Sequence, residues 1–293
     1  MSIRKAAVAG SFYPSDPAEL EHEVNFFLER GKEWVNEKKL TADAEKITGI
    51  LVPHAGYVFS GEVAASAYGF IQNQEYDTVV VIGPSHREAI SFNSVQVEGA
   101  YSTPLGDVEI DSDFAAKLTE MNENIRVDER GHQTSDRPSW QGPSGEHSIE
   151  VQLPFLQVVL GRQFKFVPIV MGVQTKTAAE GLAKTLAELA VDKKVLFVAS
   201  CDLSHFKGYD EAGRMDGRLV EAVDENDIDD LWYTINSGKS EACGVGPLSA
   251  VMKVCRFLGA TESKVIRYAN SGDVPHGEKK RVVGYLSSIF MKP

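Results

Sequence analysis

Histidine, cysteine and aspartate become chemically informative when several of them fall at the same kind of place in a chain. Here three apolar runs end alike: ILVP is followed by His54, VVVIGPS by His86, and LFVAS by Cys201, Asp202 and then His205. In a doubly wound sheet the loops at the carboxyl ends of the strands converge over one crevice, so these side chains are expected to meet rather than scatter. Pro53 and Pro84 lack a backbone N–H and cannot extend a central ladder, which ends each strand just before its histidine. One such histidine alone is ordinarily a loop residue bonded to backbone. The set, with an aspartate and a thiol added, makes a metal-capable site of His54, His86, Asp202, His205 and Cys243.

Cys243 lies in SEACGVGPLSAV, where Gly244 and Gly246 make a tight loop and Pro247 suits the first position of a helix. A thiol beside a helix N-terminus is held toward thiolate, as a nucleophile or a metal ligand. A Cys–His–Asp arrangement for acyl transfer is the nucleophilic alternative, although it leaves two histidines surplus. Cys255, inside the apolar run AVMKVCRFL, and Cys201, directly after a strand, are expected in the core. His147 opens a helical pattern in SGEHSIEVQLP with Glu150 on the same face. Either Glu146 or His147 lines the site, or Glu146 only favours the helix start. His22, His132 and His276 stand among polar residues and are expected in solvent.

These residues need a scaffold that sets strand ends side by side. Strand-length apolar runs alternate with helical periodicity along the chain: ITGILVP, GEVAASAYGFI, DTVVVIGP, FAAKLTEM, then FKFVPIVMG, TAAEGLAKTLAELA, KVLFVAS and PLSAVMKVCRFL. That rhythm predicts an α/β fold, a central and mostly parallel sheet flanked by helices. KVIRYANSG and RVVGYLSSIFM, joined by DVPHGEKK, predict a closing hairpin. Residues 122–146 carry no periodicity, and a loop of that length is expected over or beside the site. No linker or repeat interrupts the pattern, so residues 1–293 are expected to form a single domain.

Lys and Arg total 30 against 42 Asp and Glu, a formal net charge of −12, which disfavours nucleic acid and anionic membranes as partners. The opening MSIRKAAVAGSFYPSDP has no apolar leader core and no window is long enough for a membrane span, so a cytoplasmic location is expected. Three scattered cysteines without a CxxC spacing fit a reducing compartment and no zinc finger.

Taken in order, AGSFYP, VPHAGYVFSG, IGPSHR, Thr103-Pro104-Leu105, EHSIEVQLPF, SCDLSHF and CGVGPL resemble the Memo family, with matches from about Ala9 to Tyr285. The resemblance implies a fold similar to class III extradiol dioxygenases, which are non-haem iron enzymes. It also implies a metal site at His54, His86 and Cys243, with His205 and Asp202 as catalytic neighbours. Phe12, Tyr57, Phe59 and His147 would then bind substrate along the pocket wall. Where the dioxygenases use a carboxylate as third ligand this chain offers Cys243; two imidazoles and a thiolate suit iron or copper, and also zinc. The function so implied is that of a metal-dependent redox or oxygen-using enzyme, with His205 moving protons and Asp202 orienting an imidazole. The alternative is a non-catalytic accessory module that works with an Amme-type protein and a radical SAM enzyme and takes a small molecule or peptide.

Overall fold

In the computed structural model, which describes residues 2–134 and 145–293, a short strand β1 (Ile3–Arg4) precedes helix α1 (Pro17–Glu37). Asp16 caps α1 by accepting from the N–H groups of Ala18 and Glu19, and Pro17 occupies the first turn, where its missing N–H costs nothing. Strand β2 (Ile47–Val52), helix α2 (Tyr57–Tyr68) and strand β3 (Thr78–Pro84) follow. Next come β4 (Asn93–Val95), β5 (Ala100–Thr103), β6 (Gly106–Glu109), α3 (Ser112–Met121) and β7 (Ile125–Val127). The second half runs α4 (Leu153–Leu160), β8 (Phe166–Met171), α5 (Lys176–Leu189), β9 (Val195–Ser200) and β10 (Asp202–Lys207). It ends with α6 (Tyr209–Asp224), α7 (Ile228–Asn236), α8 (Val245–Phe257), β11 (Glu262–Asn270) and β12 (Val282–Met291).

The larger sheet has the order β10-β12-β2-β9-β3-β8-β4-β7, with β11 also paired to β12, while β1, β5 and β6 form a small separate sheet. Its centre, β2, β9, β3 and β8, is parallel, and every residue of those four strands is buried. Continuous burial is what strands covered on both faces require, and it explains why they are apolar throughout rather than alternating. Antiparallel pairs flank this parallel centre, β12 running against β2, β10 and β11, and β4 against β8, while the outermost β7 pairs parallel with β4. The architecture is therefore an α/β mixed sheet whose parallel part is its core. Helix α2 packs on α1 and lies against β12 and β2, whereas α8 packs on α5 and lies against β9 and β2. Apolar side chains from Ala7 to Met291 join in one contiguous core.

One strand carries the geometry that matters for the site. Along the same edge β12 changes partner, pairing Ser288 with Leu51 of β2 but Tyr285 with Asp202 of β10. Strand β2 stops at Val52, and β10 takes over the vacated ladder. The segment after β9 is thus a strand and not the free loop its polar sequence suggests, because β12 supplies hydrogen bonds that local sequence does not reveal.

Two other expectations change. His132 is not solvated: it is buried at 4 % exposure and its Nδ1 meets the Tyr101 hydroxyl at 2.5 Å. Among its described residues the aperiodic stretch contains β7 and a 3₁₀ turn at Arg130–His132, and residues 135–144, part of the loop expected over the site, lie outside the described residues. The closing hairpin forms as predicted, with β11 and β12 antiparallel over nearly their full lengths. Among the described residues no helix is long and apolar enough to cross a membrane.

Candidate metal centre

His54 follows β2 and Pro53, His86 follows β3 and Ser85, and His147 lies in the turn before α4. Their ring nitrogens come within 4.8 Å of one another, a spacing at which three imidazoles could hold a metal ion. The His86 and His147 rings stack at 4.9 Å, and the His54 ring stands edge-on to both. Cys243 joins them, its Sγ 3.2 Å from Nε2 of His54. The thiol also receives the backbone N–H of Asp202 at 3.3 Å.

Each imidazole is set by a specific neighbour. Ser200 Oγ donates its only proton to the carbonyl of Ser148 at 2.5 Å and accepts from Nε2 of Gln152 at 2.8 Å. That amide is itself fixed, since its nitrogen also donates to the carbonyl of Pro53 and its oxygen accepts from the Tyr68 hydroxyl. At 2.9 Å from Nδ1 of His54, Ser200 can only accept. Nδ1 of His54 therefore carries the proton, and Nε2 presents a lone pair to the cluster.

His86 is oriented by Glu146, a buried carboxylate that accepts from four N–H groups: His86 Nδ1 at 3.0 Å, His86 N at 2.5 Å, His147 N at 2.8 Å and Ser148 N at 2.9 Å. Burial opposes charge on both partners. On His86 the bonds to Cys243 and Glu146 prevail and lift its pKa to about 10, while the same contact holds Glu146 well below the usual carboxylate range. His147 is the opposite case. Burial, reinforced by His54, lowers its pKa to about 3, so it is a neutral donor, and its buried Nδ1 has no hydrogen-bond partner among the described residues. An orphaned imidazole nitrogen on His147 beside the presented lone pair of His54, the His86 ring and a soft thiol is a donor set that fits a transition metal once His86 and Cys243 give up their protons.

The expectation that the helix α8 dipole would hold Cys243 as thiolate does not survive. Helix α8 begins at Val245 with Gly244 as its cap, so Pro247 is the third helical residue, not the first. The hydrogen bond with Cys201 and burial push the Cys243 thiol up to about 12. Without a cation it stays protonated. Gly244 is required by close approach: a Cβ there would lie 2.6 Å from the carbonyl oxygen of Ser200 and 2.8 Å from Cβ of Cys201.

Asp202 is engaged structurally. Its Oδ1 accepts the backbone N–H of His54 at 2.8 Å, and its Oδ2 lies 4.0 Å from His54 Nε2. His205, on β10, lines the pocket wall with its ring against Phe206 at 5.8 Å. The pocket above the cluster has a volume of about 740 Å³, and Phe12 and Phe59 form part of its wall. Phe12 also packs edge-on against His147 at 4.8 Å. Tyr57 belongs to the core instead: it is 2 % exposed, packs on Phe155 and donates to the carbonyl of Val151. As the first residue of α2 it turns inward, while Val58 and Phe59 turn out. Cys201 and Cys255 are buried, as the apolar sequences around them require.

Ser200, Gln152 and Ser148 went unnoticed in the sequence, because uncharged polar residues inside apolar runs carry no signal of their own. Alternation along LFVASCD would have placed Ser200 and Asp202 on one side, a usable hint. Behind Glu146 lies a second buried group: Arg4 pairs with Glu150 at 2.7 Å and donates to the carbonyls of His132 and Glu146. Glu150 also accepts from the backbone of Ala7 and Val8 and from the Tyr13 hydroxyl. It faces the N-terminal segment, not the pocket.

Over nearly its whole length the chain is similar to proteins of one family. The family model described as Memo-like protein matches residues 4–289. A MEMO1 family protein of Methanopyrus kandleri is 35 % identical, covering 99 % of both chains. A MEMO1 family protein of Sulfolobus acidocaldarius is 36 % identical over 98 % of this chain and 99 % of its own, and one from Methanosarcina barkeri is 37 % identical over 98 % and 99 %. Among solved structures, an uncharacterized protein of Escherichia coli K12 aligns with a TM-score of 0.49 at 10 % identity, covering 84 % of this chain and 100 % of that one.

Proposed function

Because the chain belongs to the Memo family, we propose that it is a metal-dependent redox or oxygen-using protein whose single ion, iron or copper with zinc as the alternative, is held by His54, His86 and Cys243. The observation that carries this reading is the cluster of His54, His86 and His147 with the Cys243 thiol against it. His147 is a further donor within reach. A bound ion of this kind supplies Lewis-acid or one-electron chemistry at the pocket floor. Everything else is the work of the chain: Ser200 and Glu146 aim the imidazoles, Asp202 anchors the loop that carries His54, and His205 moves protons from the pocket wall. Cys243 must lose its proton to become a ligand, so affinity rises with pH.

The test is elemental analysis of protein purified without an affinity tag, followed by oxygen-uptake measurements on metal-loaded protein. About one ion per chain is expected, lost in His54→Ala/His86→Ala. Stoichiometric metal retained by that double variant refutes the ligand set.

A second reading is favoured by the apolar mouth of the pocket, where Val58, Phe59 and Phe206 are 64, 46 and 61 % exposed. In it the loaded pocket is presented to partners, an Amme-type protein and a radical SAM enzyme. Metal binding without oxygen uptake, together with association of the purified proteins, distinguishes it.

A further inference from the structure

Phe206 is an unusual residue in this fold. Its backbone is left-handed, at φ +60°, a conformation that bulky L-residues rarely adopt and that persists only where surroundings impose it. It falls within the second of two register shifts of β10 against β12, the one between His205 and Lys207. An irregularity of this kind re-aims a side chain. The ring so aimed remains 61 % exposed, so the fold recovers little burial in return for the strained backbone. It lines the mouth of the metal pocket.

Two cations share that mouth. The Arg281 guanidinium stands over the Phe206 ring, 4.9 Å from its centroid, and Arg87 lies on the same lining. Among the described residues neither arginine is ion-paired or hydrogen-bonded to a carboxylate. In a chain of net charge −12, two arginines on one pocket lining are a local enrichment of positive charge, and each offers a cationic contact to an anion. Glu278 also lines the mouth, and Asp202 lies deeper with Oδ1 engaged by His54. The mouth therefore offers an exposed aromatic ring beside a planar cation that has no hydrogen-bond partner among the described residues.

We propose that Phe206, Arg281 and Arg87 select a flat aryl carboxylate, the substrate class of the metal pocket proposed above. The aromatic ring of the ligand stacks on Phe206, flanked by Val58 and Phe59. Its carboxylate takes the fork of Arg281, which matches a carboxylate in two parallel hydrogen bonds, with Arg87 adding charge. Only side chains of this chain take part in the recognition, so it can fail or hold independently of the metal.

The test uses the full chain as purified, with metal content measured in parallel, and 4-fluorobenzoate and 4-fluorobenzamide as probes followed by fluorine NMR. Benzoate is expected to bind at least tenfold more tightly than the neutral amide, with and without chelator. Arg281→Gln removes that preference. Phe206→Gly weakens both probes about tenfold while the melting temperature holds or rises, since glycine accepts the left-handed backbone without strain. Loss of binding with a gain in stability is not what a purely structural Phe206 would give. Equal binding of the two probes overturns the proposal. So does benzoate binding that disappears with chelator and is untouched by Arg281→Gln, because the carboxylate would then be held by the ion. A Phe206→Gly variant that melts lower and keeps its affinity overturns it as well.

Discussion

Ser200 accepts from Nδ1 of His54 at 2.9 Å because its own proton is committed to the carbonyl of Ser148. One hydroxyl thus decides which nitrogen of His54 is free. Ser200→Ala should leave the imidazole without a fixed tautomer, which nitrogen-15 shifts of the His54 ring report directly. Metal affinity is expected to fall by roughly 10–100-fold, the usual effect of removing a group that orients a ligand. Stability should drop by about 1–2 kcal/mol through the stranded carbonyl of Ser148. An unchanged Nδ1–H signal in the variant would dismiss the relay.

Glu146→Gln keeps the shape of the carboxylate but not its charge. His86 then loses the partner that helps to lift its pKa to about 10, and the value measured by proton NMR should move down toward 6.5. Metal affinity again falls by roughly 10–100-fold. The sign for the metal-free protein follows from the folded value being raised. The stabilisation from His86 is complete below about pH 6.5 and lost as pH rises toward 10. Urea midpoints of metal-free wild type should therefore decline across that range, and those of the variant should decline less.

His132 gives the opposite slope at a place away from the metal cluster. Burial and the charge of Arg4 hold its pKa down to about 3. As pH falls below about 6.5 the unfolded chain takes up a proton that the folded chain refuses until about pH 3, so stability falls with pH through that window. His132→Gln, which still offers an acceptor to Tyr101, should reduce the slope between pH 6 and 4.5 by one proton, ~1.4 kcal/mol per pH unit. Equal slopes in both proteins would mean that His132 titrates normally.

Gly244→Ala places a methyl group 2.6 Å from the carbonyl oxygen of Ser200. The backbone at Gly244, φ −115°, is open to alanine, so the cost is spatial. A loss of about 1–3 kcal/mol is expected from overpacking. Because the displaced loop carries Cys243, metal affinity should fall too. Thermal melts and metal titration on the same sample check both, and a variant with normal affinity would show that the loop yields without moving the thiol.

Much of the scaffold was legible because its signals are local. The apolar runs around Ile50, Val80 and Val198 announce buried strands, and Pro53 directly after β2 and Pro84 as the last residue of β3 mark where those strands end, just before the histidines. The pairing of β10 with β12 was not legible, since Asp202–Lys207 owes its strand conformation to residues some 80 positions later. The same limit hid the burial of His132, whose polar neighbours in sequence say nothing of Tyr101 across the fold. For Cys243, sequence brought it to the helix start but could not reveal Cys201 and the burial that keep its thiol protonated. His54, His86 and His147 converge as strand ends and turns should. What fixes their rings, Ser200 and Glu146, is a matter of hydrogen-bond direction that only three dimensions disclose.

The change of partner along β12 has a consequence for the order in which the protein is made. Asp202 belongs to a strand whose ladder neighbour is β12, residues 282–291, yet it anchors His54 and donates its N–H to Cys243. A nascent chain carrying every histidine of the cluster still lacks the strand that holds Asp202 in place until those residues have left the ribosome. The centre is therefore expected to close late in synthesis, on a chain already long enough to fold around it. That ordering is expected to bring the Cys243 thiol and the His54 ring to their final places only after β12 is available.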